Sequence, residues 1–496
     1  MTKTYDDYQQ RLQQIHDLYA SAAVLSWDKE VYMPSKGARF RSRQVATLSG
    51  LAHDQFTDPA FGNLIQSLLE KQELPDGHRR NLERTLEDFK KATCLDREFV
   101  ERRSNAISDG YHRWLEARKN NNFPVFQPAL ETLVALKQEE AERIGYDDHP
   151  YDALLDQFEP GYRSHQLDTL FADVREQLVP FVRELRAKAQ VDDQFLYQGY
   201  PKDAQWDFSL HTLRNMGYDF EAGRQDISPH PFTITFSPED VRITTQFNEE
   251  NFATMCWSSI HEGGHALYEQ GLPADQYGLP LGQACSLGIH ESQSRLWENQ
   301  VGRSLPYWEA HFPELQKRFP KQLAKTSVEQ FFRGINMIVP HPIRIESDEL
   351  HYHFHILIRY ELEKAMIENN LAVADLPAAW NEKYKAYLDL DIPSDNRGCL
   401  QDIHWAHGSI GYFPTYSLGS FYAAQFYAKA CSDVPQLEEE IAQGNNQSLI
   451  DWLRNNIHAH GRYFTADELC QRVTGESLNF EHFMTYARAK YQQVYS

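Results

Sequence analysis

The sequence predicts a mainly α-helical fold in which one short β element leads directly into a helix carrying two histidines. Three observations predict it. The first 200 of the 496 residues repeat their apolar positions at helical spacing, segment after segment. One stretch, Pro229 to Phe247, alternates instead. His261-Glu262-Gly263-Gly264-His265 follows it and places two histidines at i and i+4 on one helix face.

The helical part is read in order. Tyr5, Tyr8, Leu12, Ile15 and Tyr19 recur at steps of three and four, and Ala20 to Trp27 continues the helix with small residues. Met33 to Gly37 is a break. Ala38 to His53 is helical again and basic, with Arg39, Arg41 and Arg43 read as a solvated face. Leu64 to Gln72 and Gly77 to Lys119 are charge-laced helices, Asn120 to Pro124 is a loop, and Phe126 to Gly145 and Leu167 to Ala189 are two more long helices. No fixed-period repeat, low-complexity tract or Gly/Ser/Pro linker divides the chain. One domain, 1–496, is predicted, with a helical N-terminal part over 1–200 and a catalytic part over 201–496.

Composition narrows the class. With 41% hydrophobic and 13% aromatic residues the chain can bury a large core. A net charge of −22, from 71 acidic and 49 basic residues, repels nucleic acid and anionic membrane alike. The 6 cysteines contain no C-x-x-C pair, which fits free thiols in a reducing compartment. The polar N-terminus has no apolar run after Lys3, and no stretch approaches the ~20 apolar residues of a membrane span. A soluble cytoplasmic protein is the expectation.

In the alternating stretch, Ser237-Pro238-Glu239-Asp240 carries turn chemistry between two strands. Val241, Ile243, Thr245 and Phe247 share one face, and Arg242, Thr244 and Gln246 share the other, which is expected to look into a wet cleft. Asn248 or Asn251 can cap the histidine helix and Gly271 can end it. Gly263 and Gly264 cost about 1 kcal/mol each in mid-helix, so close packing must offset them. A strand feeding such a helix is the layout of a zinc peptidase: the strand pairs with an extended peptide and the helix holds the metal.

His261 and His265 are the candidate ligands, and Glu262 is placed to reach a water that the metal activates. Hydrolytic zinc takes three protein ligands and keeps one position open. Glu269, Glu291, Glu298 and several histidines compete for the third place. Glu269 would only extend the helix row. Glu291 sits on a second predicted helix, Leu287 to Arg295, reached through a loop rich in glycine and proline. Its bland alternative is an ion pair with Arg295 at i+4. His351 and His355 have ligand spacing but no adjacent glutamate, and are read with His353 as packing residues, like His311 and His341. Arg344 stands among apolar residues, with Glu346, Asp348 or a substrate carboxylate as its partner. Tyr412 and Tyr416, on a glycine-punctuated segment, can donate to an oxyanion or simply pack.

The set His230-Pro231-Phe232, Asp240-x-Arg242-x-Thr244, His261-Glu262-x-x-His265, His290-Glu291-Ser292-Gln293, Ile343-Arg344-x-x-Ser347-Asp348 and Gly398-x-x-Gln401-Asp402-x-His404-Trp405 resembles the carboxypeptidase Taq family of metallocarboxypeptidases. Trp27-Asp28 and Met33-Pro34 extend the resemblance toward the N-terminus. It implies a mainly α, large helical peptidase fold with a deep central groove and a small β-sheet beside the metal, similar to neurolysin and angiotensin-converting enzyme. It implies a cytoplasmic homodimer that removes C-terminal residues from peptides with broad specificity, failing at proline, with Zn2+ or else Co2+ or Mn2+. Carried over residue by residue, His261, His265 and Glu291 bind metal and Glu262 is the base. Arg344 clamps the substrate carboxylate. His404 with Tyr412 or Tyr416 serves the oxyanion, and Arg242, His230 and Gln401 lie on the substrate side. The rival readings are an endo-oligopeptidase with the same metal core and a non-catalytic peptide-binding scaffold with a vestigial site.

Overall fold

The structure is a computed structural model that describes residues 4–188 and 191–496. Met1–Lys3 of the polar N-terminus, and Ala189, where the helix predicted from Leu167 is expected to end, lie outside the described residues. The chain is mainly helical with one three-stranded sheet. It forms two compact units, each from three separated stretches: Met1–Thr93, Asp192–Ile335 and Tyr422–Leu478 in the first, Cys94–Val191, Asn336–Phe421 and Asn479–Ser496 in the second.

The first unit begins with α1 (Tyr5–Val31) and α2 (Ala38–Phe56), parted by the predicted break. Thr4 starts α1 through a reciprocal capping box with Asp7. The predicted stripe Tyr8, Leu12 and Ile15 is buried against Ala52, Phe61, Leu64 and Leu68. Of the three arginines on α2, Arg41 leaves the solvated face and donates to Asp28 Oδ2 at 2.5 Å and to the Leu25 carbonyl. The long helix expected from Gly77 to Lys119 is two helices, Asp76–Thr93 and Arg97–Asn120. Asp96 accepts from the Phe99 N–H at 2.8 Å and so caps a new start.

The sheet runs β1 (Gly223–Ile227), β2 (Thr233–Ser237) and β3 (Asp240–Thr245), in spatial order β1-β3-β2. β2 and β3 form the predicted hairpin, and β1 adds a parallel strand that alternation did not show. Val241, Ile243 and Thr245 are buried as expected. The opposite face is not a wet cleft. Arg242 donates twice to Asp240, both at 2.8 Å, and lies between the rings of Trp27 from α1 and Phe236, at 4.4 and 4.9 Å. Thr244 is fully buried and accepts from Ser228 Oγ.

Three further helices place the chemistry: α3 (Lys202–Asn215), α4 (Phe252–Gln270) and α5 (Leu287–Arg295). Asn251, not Asn248, caps α4 by accepting from the Ala253 N–H, and Gly271 ends it. The two mid-helix glycines have distinct neighbours. A Cβ on Gly263 would stand 2.7 Å from Leu213 Cδ2 of α3. A Cβ on Gly264 would stand 2.6 Å from Ser294 Cα and 2.8 Å from the Gln293 carbonyl of α5. α4 and α5 therefore touch backbone to backbone at Gly264.

In the second unit α6 (His351–Ile367) is buried on nearly every side. Its histidines pack as expected: His351 Nδ1 on Asp348 at 2.6 Å, His353 Nδ1 on Ser417 at 3.0 Å, and His355 Nδ1 on the Tyr384 hydroxyl at 2.7 Å.

The Gly264 contact is with backbone, which cannot swing away. Gly264→Ala is expected to lose about 1–3 kcal/mol in denaturant unfolding through overpacking. Gly50→Ala on α2, where a new Cβ meets nothing within 4 Å, is the control and should gain about 0.5–1 kcal/mol from helix propensity.

Candidate active site

The contact at Gly264 decides which carboxylate joins the histidine pair. α4 presents His261 and His265 one turn apart, their rings 4.9 Å between centroids. α5 runs against them and turns Glu291 inward. Glu291 Oε2 lies 3.5 Å from His265 Nε2 and 3.9 Å from His261 Nε2. Among the described residues these three offer ligand atoms that all lie within 4.8 Å of one another. Ligands at ~2.0–2.2 Å in a tetrahedron stand roughly 3.3–3.5 Å apart, so the donors fit a divalent ion such as zinc with small adjustments.

The outward ring nitrogens are tied down, which fixes the inward ones. His261 Nδ1 meets Glu298 Oε2 at 2.9 Å. His265 Nδ1 meets His290 Nδ1 at 2.6 Å, and His290 Nε2 meets Glu269 Oε1 at 2.7 Å. For His265 Nε2 to offer a lone pair, its Nδ1 must carry the proton and donate to His290, whose own proton then sits on Nε2 and points at Glu269. Arg295 joins the two carboxylates, with Nε on Glu291 Oε1 at 2.7 Å and Nη1 on Glu298 Oε2 at 3.1 Å. The ligand reading of Glu291 and its bland alternative thus coexist, one oxygen for each. Glu269, rejected as a ligand, supports His290 instead.

Charge follows this geometry. Against the cost of burial, Glu291 and Glu298 raise the His261 imidazole to about 9. Burial and the neighbouring His290 and His261 push His265 well below its usual value. Against burial, Arg295 and His261 hold Glu298 below the usual carboxylate range. Glu262 is buried, and burial raises its carboxyl against the pull of His261. Thr233 on β2 donates to Glu262 Oε2 at 2.7 Å and fixes its carboxylate.

The second unit holds Arg344, Gln401, His404, Tyr412 and Tyr416, whereas His230 and Arg242 belong to the first. Arg344 is buried, and its partner is neither Glu346 nor Asp348. Its Nη2 and Nε reach Asp402 Oδ1 at 3.0 and 3.2 Å, and Nη1 donates to the Tyr352 hydroxyl at 2.9 Å. Arg359 of α6 donates to the other oxygen, Asp402 Oδ2, at 2.7 Å. Two guanidiniums share one carboxylate. Glu346 instead lies 3.2 Å from His341 Nε2. His404 Nε2 is 3.3 Å from the Tyr416 hydroxyl, and the Tyr416 ring also lies 4.9 Å from the Arg344 guanidinium. Tyr412 packs on Phe158, with ring centroids 5.2 Å apart. Burial, reinforced by Arg344 and Arg359 and opposed by Asp402, pushes His404 down to about 4. Gln401 holds the loop together: its Oε1 accepts the Arg344 N–H at 2.8 Å and its Nε2 donates to the carbonyls of Pro342, Arg397 and Gly398. His230 is exposed, and its carbonyl accepts from Ser228 Oγ.

Residues 7–491 match the sequence pattern of a family described as Carboxypeptidase Taq (M32) metallopeptidase. The chain belongs to this family. It is 41% identical to Thermostable carboxypeptidase 1 of Thermus thermophilus over 96% of both chains. It is 36% identical to Carboxypeptidase 1 of Bacillus subtilis over 98% of this chain and 97% of that one. Among solved structures, the M32 carboxypeptidase of Deinococcus radiodurans superposes with a TM-score of 0.97 at 38% identity over 99% of each chain. A Pyrococcus furiosus carboxypeptidase gives 0.96 at 34% identity, again over 99% of each. The molecule is a metallocarboxypeptidase, with peptides as its substrate class and a divalent metal as its cofactor. Among the described residues, no helix is long and apolar enough to cross a membrane.

Thr233 and Arg359 carry no pattern of their own in the sequence, His290 stands in the His-Glu-Ser-Gln motif without a role, and Arg295, expected beside Glu291, also reaches Glu298. Glu298 was weighed as a ligand and serves behind one. Because His261 binds a proton up to about pH 9, metal must displace it. Calorimetry in buffers of different ionisation enthalpy should show about one proton released per metal near pH 7, with affinity rising toward alkaline pH. Release of no proton would contradict the assignment. Glu298→Gln should weaken metal affinity by roughly 10–100-fold in a chelator competition, as loss of an outer partner does.

Proposed function

We propose that this metallocarboxypeptidase hydrolyses the C-terminal bond of peptides of broad sequence, with zinc bound by His261, His265 and Glu291. One observation carries the reading: three ligand atoms converge within 4.8 Å while Glu262, next to the first ligand, is oriented by Thr233. The bound ion supplies Lewis-acid polarisation of water and of the scissile carbonyl. Cobalt or manganese would satisfy the same donors.

Glu262 takes a proton from the attacking water and delivers it to the leaving amine. Its burial favours this work, since a carboxylate with a raised pKa exchanges protons more readily near neutrality. His404, neutral at pH 7, and Tyr416 are assigned to the developing oxyanion. Tyr416 is preferred to Tyr412 because its hydroxyl lies within hydrogen-bond reach of His404 Nε2, at 3.3 Å.

Arg344 holds the substrate's free carboxylate. The support is electrostatic: Arg344 and Arg359 share the single Asp402. The other buried acid on α6, Glu363, is pushed up to about 7 by burial and brings at most a partial negative charge near neutrality. The cluster carries excess positive charge that an incoming carboxylate neutralises. Arg242 braces the sheet from its central strand β3, whose two edges β1 and β2 already occupy, and its guanidinium is engaged by Asp240 and Trp27. Gln401 shapes the Arg344 loop, and His230 stands at the exposed entry to β2. A cytoplasmic homodimer completes the proposal, in keeping with the family.

Two outcomes are expected. Glu262→Gln should bind metal with unchanged stoichiometry and lose about 100-fold or more in kcat, the scale of a lost general base. Wild-type kcat would contradict its role. Arg344→Ala should lose at least about 100-fold in kcat/KM on free C-termini while amidated peptides, poor substrates for the wild type, change little. Equal rates on free and amidated peptides in the wild-type enzyme would instead favour an endo-oligopeptidase.

A further inference from the structure

β2 is the outer strand on one side of the sheet, and its two faces lead to different surroundings. Thr233 turns toward α4 and donates to Glu262. Its neighbours Phe232 and Ile234 turn the other way, by strand alternation. There a cavity of about 390 Å³ opens between β2, α1 and α2. Trp27, Val45, Ala46, Phe232 and Ile234 form its apolar wall. Lys29 and Glu30, both exposed, also line it and lie 3.4 Å apart, so their charges offset each other. The wall is rigid where it matters, because Trp27 is buried under Arg242, which Asp240 holds by two hydrogen bonds. The volume falls in the ~300–1,000 Å³ range of ligand pockets.

We propose that this cavity is a subsite for one large apolar side chain of the substrate, on the N-terminal side of the scissile bond. The inference rests on the reading that the peptide adds to the outer edge of β2. A strand added there shares the alternation of β2, and side chains directly opposite each other point to the same face. The residue beside Thr233 therefore turns toward Glu262 and the metal ligands. The residue beside Phe232 or Ile234 turns into the cavity. A carboxypeptidase leaves only one residue beyond the scissile bond, so the chain that continues along the strand is the N-terminal part. With its charges offset and five of its nine lining residues apolar, against the hydroxyls of Ser26 and Ser42, the cavity selects leucine or phenylalanine over glycine, and disfavours a lone charge that would lose its hydration.

The test uses the metal-loaded enzyme and peptides with free C-termini. Each of the three residues before the C-terminal one is varied among glycine, glutamate, leucine and phenylalanine, and kcat/KM is measured. One position is expected to favour leucine and phenylalanine by roughly 10-fold or more over glycine and glutamate. Ala46→Phe, on the exposed side of α2, should fill the cavity and remove that preference, bringing the leucine and phenylalanine peptides down toward the glycine peptide. Val45→Ala should enlarge it and shift the preference from leucine to phenylalanine. A flat profile, a preference that both variants leave intact, or an equal loss on every peptide with Ala46→Phe would overturn the subsite. Failure to trim any peptide would overturn the carboxypeptidase mechanism and the subsite with it, whereas trimming with a flat profile would overturn the subsite alone.

Discussion

The histidine pair and Glu291 depend on the backbone contact between α4 and α5 at Gly264. It sets how far Glu291 stands from the two histidines, and so whether three donors converge or two do. A glycine in mid-helix is unfavourable by about 1 kcal/mol relative to alanine, and α4 carries two in succession. Neither is a flexible point. Gly263 admits Leu213 from α3 and Gly264 admits the α5 backbone. Local propensity is given up on the turn where the chemistry needs helices closer than any side chain permits.

Buried charge is organised by sharing. Arg295 serves Glu291 and Glu298 in the first unit, and Asp402 serves Arg344 and Arg359 in the second. Lone buried ions are expensive, and paired ones roughly break even. Leaving one side in excess turns such a pair into a binding device. On the proposed mechanism, the donor set around His261 receives a cation and the Arg344 cluster receives a carboxylate. The sheet divides its work in the same way. One face of β2 holds the Glu262 carboxylate through Thr233, while the other lines a cavity with Phe232 and Ile234.

The most legible features were those that local chemistry dictates. The α1 stripe, the β2–β3 turn, the Asn251 cap and the Gly271 stop each depend on residues a few positions apart. Glu291 was within reach because a tetrahedral site needs a third donor and a loop returned the chain antiparallel. β1 was hidden because Gly-Arg-Gln-Asp-Ile has no apolar alternation; its Gln225 and Asp226 are buried through hydrogen bonds instead, to Ser209 and Arg224. The break before Arg97 was signalled by Asp96, a capping residue that the surrounding helical periodicity masked. The acids weighed as bland partners of Arg344, Glu346 and Asp348, are near only in sequence, whereas Asp402 is brought in by a loop that Gln401 ties down. Thr233 and His290 could not be assigned from residue type, since each acquires its role from a partner supplied by another element.

The central claim is that α4 and α5 jointly hold one metal through His261, His265 and Glu291. Anomalous diffraction from crystals grown with zinc tests it most directly. A single strong peak is expected, with two imidazole nitrogens and one carboxylate oxygen at about 2.0–2.2 Å, contributed by those three residues. A peak ligated by Glu269, Glu298 or His290 in place of Glu291 would contradict it.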